Sequence, residues 1–190
     1  MRVGNQHTAT RWLAGLALAF SACEGGTETT AHAETSDAGA GHAAVAAPAA
    51  DDDRMAAPSW ELPDLEGKLI QSGAYAGKTV VMDFWATWCP PCLFQIPILN
   101  AIQAKHVGDG IVVIGVAVDA EGAEVVKPYA QENGIEYQLV IGDEGLARKF
   151  GAPGFPALAV VSPDGKIDSM HVGLIEEAEL EAAIAKGQGS

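Results

Sequence analysis

The sequence is poor in cysteine and in basic residues, and each shortage excludes a class of protein. Its 190 residues include only three cysteines, Cys23, Cys89 and Cys92, too few for a small scaffold held together by disulfides. A structural zinc ion needs four ligands, and no second C-x-x-C or H-x-x-x-H pattern completes such a set. The chain has 11 basic and 25 acidic residues and a net charge of -14, which argues against a nucleic-acid partner.

The chain also has no apolar run long enough to span a bilayer. The run from Trp12 to Ala22 has eleven residues, whereas a transmembrane helix needs about 20. Arg2 and Arg11 precede this run and small residues follow it, a pattern typical of an export signal that is later removed. We therefore predict that residues 1–23 are a signal peptide and that the mature protein is periplasmic or otherwise extracytoplasmic.

The end of this segment, FSAC, resembles the lipobox of bacterial lipoproteins, which is cleaved before a lipidated cysteine. The resemblance implies that Cys23 is the site of lipid attachment and that the protein is anchored to a bacterial membrane, although Phe20 stands where the motif usually has leucine. The alternative is ordinary cleavage at a later A-x-A-like site, with Cys23 discarded or left as a free thiol.

Residues 24–57 contain no Leu, Ile, Phe, Tyr or Trp. Such a segment cannot bury enough apolar surface to offset its chain entropy, so we predict a disordered linker. His32 and His42, isolated in this segment, are expected to be solvated and not to bind metal. The remaining residues, 58–190, are expected to form one domain.

Within residues 58–190, apolar runs typical of buried strands alternate with helical segments. SWELPDLEGKLIQ, with Gly67 in its turn, predicts a β-hairpin. The further predicted strands are 79–86, 111–119, 137–141, 157–161 and 166–172. The predicted helices are 91–106, 123–133, 145–150 and 176–186. Alternating strands and helices imply parallel pairing, and SPDG between the last two strands predicts a hairpin. We therefore expect an α/β fold with a mixed central sheet and helices on both faces.

The motif ATWCPPC follows the strand at 79–86. At this spacing both thiols lie on one face of a helix, close enough to form a disulfide. Cys89, at the amino end of the helix, is expected to be the attacking thiolate and Cys92 the resolving thiol. Pro90 and Pro91 have no N–H, so the thiolate gains fewer hydrogen bonds, which predicts a reducing dithiol.

Three segments, VVMDFWATWCPPC, GFPALAVVSPDGKI and HVGLIEEAELEAAI, resemble the thioredoxin superfamily and, within it, the exported TlpA/ResA-like thiol-disulfide oxidoreductases. The resemblance covers residue 58 to the end. It implies a thioredoxin-like fold with residues 123–141 as a central helix-strand insert, and it implies that Pro156 is a cis-proline facing the dithiol. Phe155 would offer its backbone groups to a bound protein. The substrate-binding residues would be Phe155, Pro156, Trp88, Pro90 and Pro91, whereas Trp85 would pack in the core.

Asp83 lies in the middle of the buried run VVMDFW. Close TlpA-like relatives often have Asn at this position, and Gln95 stands where many have Glu. Because a buried acid is costly without a task, we predict that Asp83 accepts a proton near Cys92. The three tyrosines, Tyr75, Tyr129 and Tyr137, are expected to contribute packing alone.

The sequence therefore predicts a monomeric enzyme without cofactor or metal that reduces disulfides of exported proteins and is recharged by a membrane thiol-reductant donor. Apocytochrome c thiols are one substrate of the family. Two alternatives keep the same fold: an oxidant that forms disulfides, and a Cu(I) chaperone using His171 and Met170. A peroxiredoxin also shares the fold, but its cysteine lies in a different sequence context.

Overall fold

A computed structural model describes residues 53–189 of the chain. The predicted signal peptide, with Cys23, lies outside the described residues, as does most of the predicted linker. None of the helices in the described part combines the length and the apolar character needed to cross a membrane.

The described residues form seven strands and four α-helices. The strands are β1 (Glu61–Pro63), β2 (Leu69–Gln71), β3 (Thr79–Trp85), β4 (Ile111–Ala117), β5 (Gln138–Ile141), β6 (Ala157–Val161) and β7 (Ile167–Val172). The helices are α1 (Pro90–Lys105), α2 (Ala123–Glu132), α3 (Glu144–Lys149) and α4 (Glu177–Gln188), and a 3₁₀ turn covers Ser72–Tyr75. The bounds predicted from the sequence agree with these to within two residues.

The central sheet has the order β5-β4-β3-β6-β7. Strands β3, β4 and β5 are parallel, while β6 and β7 are antiparallel to their neighbours. The mixed sheet is therefore confirmed, and the 123–141 insert contributes α2 and the edge strand β5. The predicted hairpin is confirmed as β1 and β2, which form a separate antiparallel sheet.

The alternation of side chains along β3 divides the core between the two faces of the sheet. Val81 and Trp85 belong to a cluster that includes buried residues of α1, α2 and α4. Val80, Met82 and Phe84 belong to a second cluster, packed with α3 and with Trp60 before the hairpin. Helices therefore lie on both faces, as expected, and Asp83 shares its face of the strand with Val81 and Trp85.

The ordered domain begins upstream of the boundary expected at Pro58. Ala56 forms a β-bridge with Lys166, and Met55 accepts a hydrogen bond of 2.8 Å from the N–H of Ile167. Arg54 donates to the hydroxyl of Ser162 at 2.7 Å. Residues 54–57 are expected in the linker because they lack Leu, Ile, Phe, Tyr and Trp, but their contacts are made by backbone atoms and by the side chain of Arg54, which composition does not show.

Candidate active site

The two cysteines of ATWCPPC lie where β3 leads into α1. The strand ends at Trp85, the N–H of Cys89 bonds to the carbonyl oxygen of Ala86 at 3.2 Å, and the helix begins at Pro90. Cys89 and Cys92 are joined by a disulfide with a Cα–Cα distance of 5.5 Å. The helical spacing thus brings the two sulfur atoms together as the sequence predicts.

A groove distinguishes the two cysteines, although both are buried. It has a volume of about 490 Å³ and runs between the dithiol loop and α3. Its lining residues are Trp88, Cys89, Pro90, Pro91, Glu144, Arg148, Ala152, Pro153, Gly154 and Phe155. Cys92 is not among them. The groove therefore reaches Cys89 and not Cys92, which favours Cys89 as the attacking group.

Pro156 forms the cis peptide bond with Phe155 that the family resemblance implies. The ring of Phe155 meets that of Trp88 edge to face, with centroids 6.0 Å apart. Trp88 is 58% exposed, while Trp85 is buried in the core, where its ring is tilted by 38° to that of Tyr129 with the centroids 5.7 Å apart. Trp88 and Phe155 thus form an aromatic wall along the groove, and their role in binding a substrate remains a prediction.

Asp83 is buried on the face of the sheet whose core cluster contains both cysteines. Its Oδ2 accepts a hydrogen bond of 3.4 Å from the hydroxyl of Tyr137. Its Oδ1 has no hydrogen-bond partner among the described residues. The expectation that Tyr137 only packs was therefore incomplete, because its hydroxyl is the polar neighbour of this acid.

Burial raises the pKa of Asp83 to about 7, and the hydrogen bond from Tyr137 partly opposes that rise. Removal from water disfavours the charged carboxylate, whereas a hydrogen bond to it has the reverse effect. The pKa of Tyr137 is raised well above its usual value by its own burial and by the nearby Asp83. Near neutral pH the carboxyl group of Asp83 can therefore both accept and release a proton.

Gln95, at the position where many relatives have Glu, is fully buried in α1. Its side chain accepts a hydrogen bond from the N–H of Ile175 at 3.1 Å and donates one to the carbonyl oxygen of Ile175 at 3.3 Å. These two bonds join α1 to the segment that follows β7. Gln95 is thus occupied structurally and has no ionisable proton, so it cannot act as the base for Cys92.

Sequence reasoning missed Asp119, which follows β4 and fixes the loop that carries the dithiol. Its buried carboxylate accepts hydrogen bonds from the N–H of Thr87, at 3.1 and 3.2 Å, and from the Thr87 hydroxyl. Thr87 lies within ATWCPPC, two residues before Cys89. The only sequence signal was an acid at the end of a buried strand. Its partner could not be predicted, because a contact across 32 residues depends on how the strands pair.

We expect Asp119→Ala to lower the free energy of unfolding of the oxidised protein by about 2–3 kcal/mol, because it leaves the part-buried N–H and hydroxyl of Thr87 without their charged acceptor. Thr87→Val, which removes only the hydroxyl bond, should cost about 1 kcal/mol. Urea unfolding followed by tryptophan fluorescence measures both. Equal stability of Asp119→Ala and wild type would contradict this role.

Within residues 53–189, no group of three or more His, Cys, Asp or Glu side chains is placed to hold a metal ion. His171 lies on β7, where its Nδ1 is 3.7 Å from Oε1 of Glu179 and its Nε2 is 3.3 Å from the carbonyl oxygen of Leu174. These contacts give the copper-chaperone alternative no support.

The order of the sheet and the position of the dithiol are those of a thioredoxin-like redox protein. Residues 54–170 match the AhpC/TSA family, and the chain belongs to it. It is 31% identical over 133 residues to the thiol-disulfide oxidoreductase ResA of Bacillus anthracis, an alignment covering 68% of this chain and 75% of the relative. It is 29% identical over 127 residues to the thioredoxin-like protein YneN of Bacillus subtilis, covering 66% and 74%.

Two solved structures extend the comparison. A thiol:disulfide interchange protein of the thioredoxin family from Chlorobium tepidum aligns with a TM-score of 0.64 and 29% identity, over 73% of this chain and 99% of that one. The exposed lipoprotein thioredoxin Etrx1 of Streptococcus pneumoniae aligns with a TM-score of 0.58 and 26% identity, over 68% and 99%. The chain is therefore a thiol-disulfide oxidoreductase of the ResA type.

Proposed function

We propose that the chain is an exported, lipid-anchored enzyme that reduces disulfides in other extracytoplasmic proteins, with apocytochrome c among the candidate substrates. The observation that carries the proposal is the opening of the groove onto Cys89 at the proline-bearing start of α1. A groove lined by aromatic and backbone groups suits an extended protein segment better than a small molecule.

In the proposed reaction, the thiolate of Cys89 attacks one sulfur of the substrate disulfide. The substrate bond breaks, a mixed disulfide forms on Cys89, and the second substrate sulfur leaves as a thiolate that takes up a proton. Cys92 then loses its proton and attacks the sulfur of Cys89, which releases the first substrate sulfur. The substrate has gained two electrons, and the Cys89–Cys92 disulfide is returned to the dithiol by a membrane thiol-reductant donor.

Asp83 is the proposed acceptor of the Cys92 proton. Cys92 is buried, so neither bulk water nor a solvated base has free access to its thiol. Asp83 lies on the face of β3 that packs into the cluster containing Cys92, and its pKa of about 7 suits a base that works near neutral pH.

The two prolines at the start of α1 support the reducing direction of the proposal. Pro90 and Pro91 occupy the first positions of the helix, and the N–H of Cys92 is committed to the carbonyl oxygen of Cys89 at 3.1 Å. Fewer backbone donors therefore remain for a thiolate on Cys89, and a weakly stabilised reduced form gives up its electrons readily.

We expect the reduction potential of the dithiol to lie closer to the value of about -270 mV found for thioredoxin than to the value of about -120 mV found for DsbA. Equilibration with glutathione or dithiothreitol buffers, followed by alkylation of free thiols, measures it. A potential near that of DsbA would instead support the alternative of an oxidant. Turnover of hydrogen peroxide with no protein disulfide present would support a peroxiredoxin.

The anchoring part of the proposal rests on FSAC at residues 20–23 and on the resemblance to a relative described as an exposed lipoprotein. We expect Cys23→Ser to move the protein from the membrane to the soluble exported fraction, or to leave it as an unprocessed precursor. Fractionation, together with the mass of the mature amino terminus, tests this. Processing and membrane association identical to wild type would exclude Cys23 as the attachment point.

A further inference from the structure

Asp83 faces a position on the next strand that has no side chain. In the parallel pairing of β3 with β4, the partner of Asp83 is Gly115. A Cβ atom at Gly115 would lie 2.5 Å from Cδ2 of Leu139, 2.9 Å from Cε2 of Tyr137 and 3.0 Å from Nε1 of Trp85. At distances this short the neighbouring side chains would have to shift, so the absence of a Cβ atom at Gly115 lets these three side chains lie this close to the strand.

Tyr137, one of the side chains admitted in this way, comes from the 123–141 insert, immediately before β5. It is 5% exposed, and its ring passes over Gly115 to bring the hydroxyl to 3.4 Å from Oδ2 of Asp83. The insert therefore supplies the hydrogen-bond donor that reaches this acid.

We propose that Tyr137, for which Gly115 leaves room, is a positioning residue that orients the carboxyl group of Asp83 and favours its ionised form. The inference rests on the proposed function of Asp83 as the base for Cys92. It adds that the insert lowers the pKa that burial gives this base, and so helps to set the pH range in which the base works.

Few other groups act on the acid. Burial and the Tyr137 hydroxyl are the influences on the pKa of Asp83. An electrostatic interaction with Tyr129 of α2 also raises the pKa of Tyr137. The buried residues of α1 include Cys92 and the uncharged Gln95. Because the carboxylate has one hydrogen-bond donor and is removed from water, the loss of that donor should have a measurable effect.

The test is Tyr137→Phe, which removes the hydroxyl and keeps the ring that packs beside Gly115. In the oxidised protein, where the cysteines do not titrate, ¹³C NMR of the Asp83 carboxyl group should show its pKa raised by about one unit. The resonance is assigned by its absence in Asp83→Asn. The pH dependence of disulfide exchange should move in the alkaline direction by a similar amount.

Tyr129→Phe is the matched control, because Tyr129 interacts with Tyr137 but donates no hydrogen bond to Asp83. This variant should leave the pKa of Asp83 unchanged. Gly115→Ala is a second test, because it keeps the hydroxyl but displaces the ring, and it should raise the pKa in the same direction. An unshifted titration in Tyr137→Phe would overturn this inference alone. A wild-type exchange rate in Asp83→Asn would instead overturn the role of Asp83 as the base.

Discussion

Replacement of Cys89 by serine is expected to abolish protein disulfide reduction, with a loss of at least about a thousandfold in the exchange rate. A hydroxyl group is not ionised at neutral pH and forms no disulfide, so the first attack cannot take place. Turbidity of insulin upon reduction of its disulfides, with dithiothreitol as the donor, measures the rate. The variant should keep its fold, because the disulfide joins residues only three positions apart and constrains the unfolded chain little.

Cys92→Ser is expected to lose turnover to a similar degree but to leave a different product. Cys89 can still attack a substrate from the groove, and without the thiol of Cys92 the mixed disulfide is not resolved. The variant should therefore accumulate covalent complexes, visible as bands on a non-reducing gel that disappear with reductant. Sequencing the captured proteins would identify substrate and donor together. If Cys89→Ser traps partners and Cys92→Ser does not, the assignment of the attacking cysteine is reversed.

The fold and the dithiol could be predicted because their signals are local. Strand β3 is a near-continuous apolar run, as expected of a strand buried on both faces, and the spacing of the cysteines determines how they meet on a helix. The acid in this run was also visible, since an ionisable side chain among apolar neighbours is unusual.

The partners of these residues could not be predicted, because they depend on the register between distant strands. Tyr137 meets Asp83 across 54 residues, and a shift of one residue in the pairing of β4 with β5 would turn its side chain to the other face. One local signal was present: glycine inside a buried strand often marks a close approach of another group, and Gly115 is such a glycine.

Asp83→Asn is expected to slow disulfide exchange about a hundredfold near pH 7, the contribution typical of a positioned general base. An amide cannot accept the proton of Cys92, and Gln95 cannot replace it. The difference should narrow at alkaline pH, where the thiol of Cys92 ionises without help. In the reduced protein we expect Asp83 and Cys92 to titrate as a coupled pair, so that the midpoints of the rate profile belong to the pair. Equal rates for the variant and wild type between pH 6 and 9 would show that Asp83 is structural.

The same substitution should stabilise the oxidised protein in a way that depends on pH. The pKa of Asp83 is about 7 in the folded state, against an ordinary value of 3.8. Between these values the unfolded chain has released the proton and the folded chain retains it, so wild-type stability falls as the pH rises from about 4 to 7 and is then level. The integrated loss is about 4 kcal/mol.

Asparagine carries no charge at any pH, so the variant should lack this decline. The free energy of unfolding of the variant should exceed that of wild type by an amount that grows between pH 4 and 7 and is then constant. The cost of burying the amide reduces this difference. Urea unfolding at pH 5 and pH 8 measures the change, with Asp164→Asn as a control in which the carboxyl group is exposed. A constant difference between Asp83→Asn and wild type at the two pH values would mean that Asp83 is ionised throughout, and a base with a pKa near 7 would then have to be sought elsewhere.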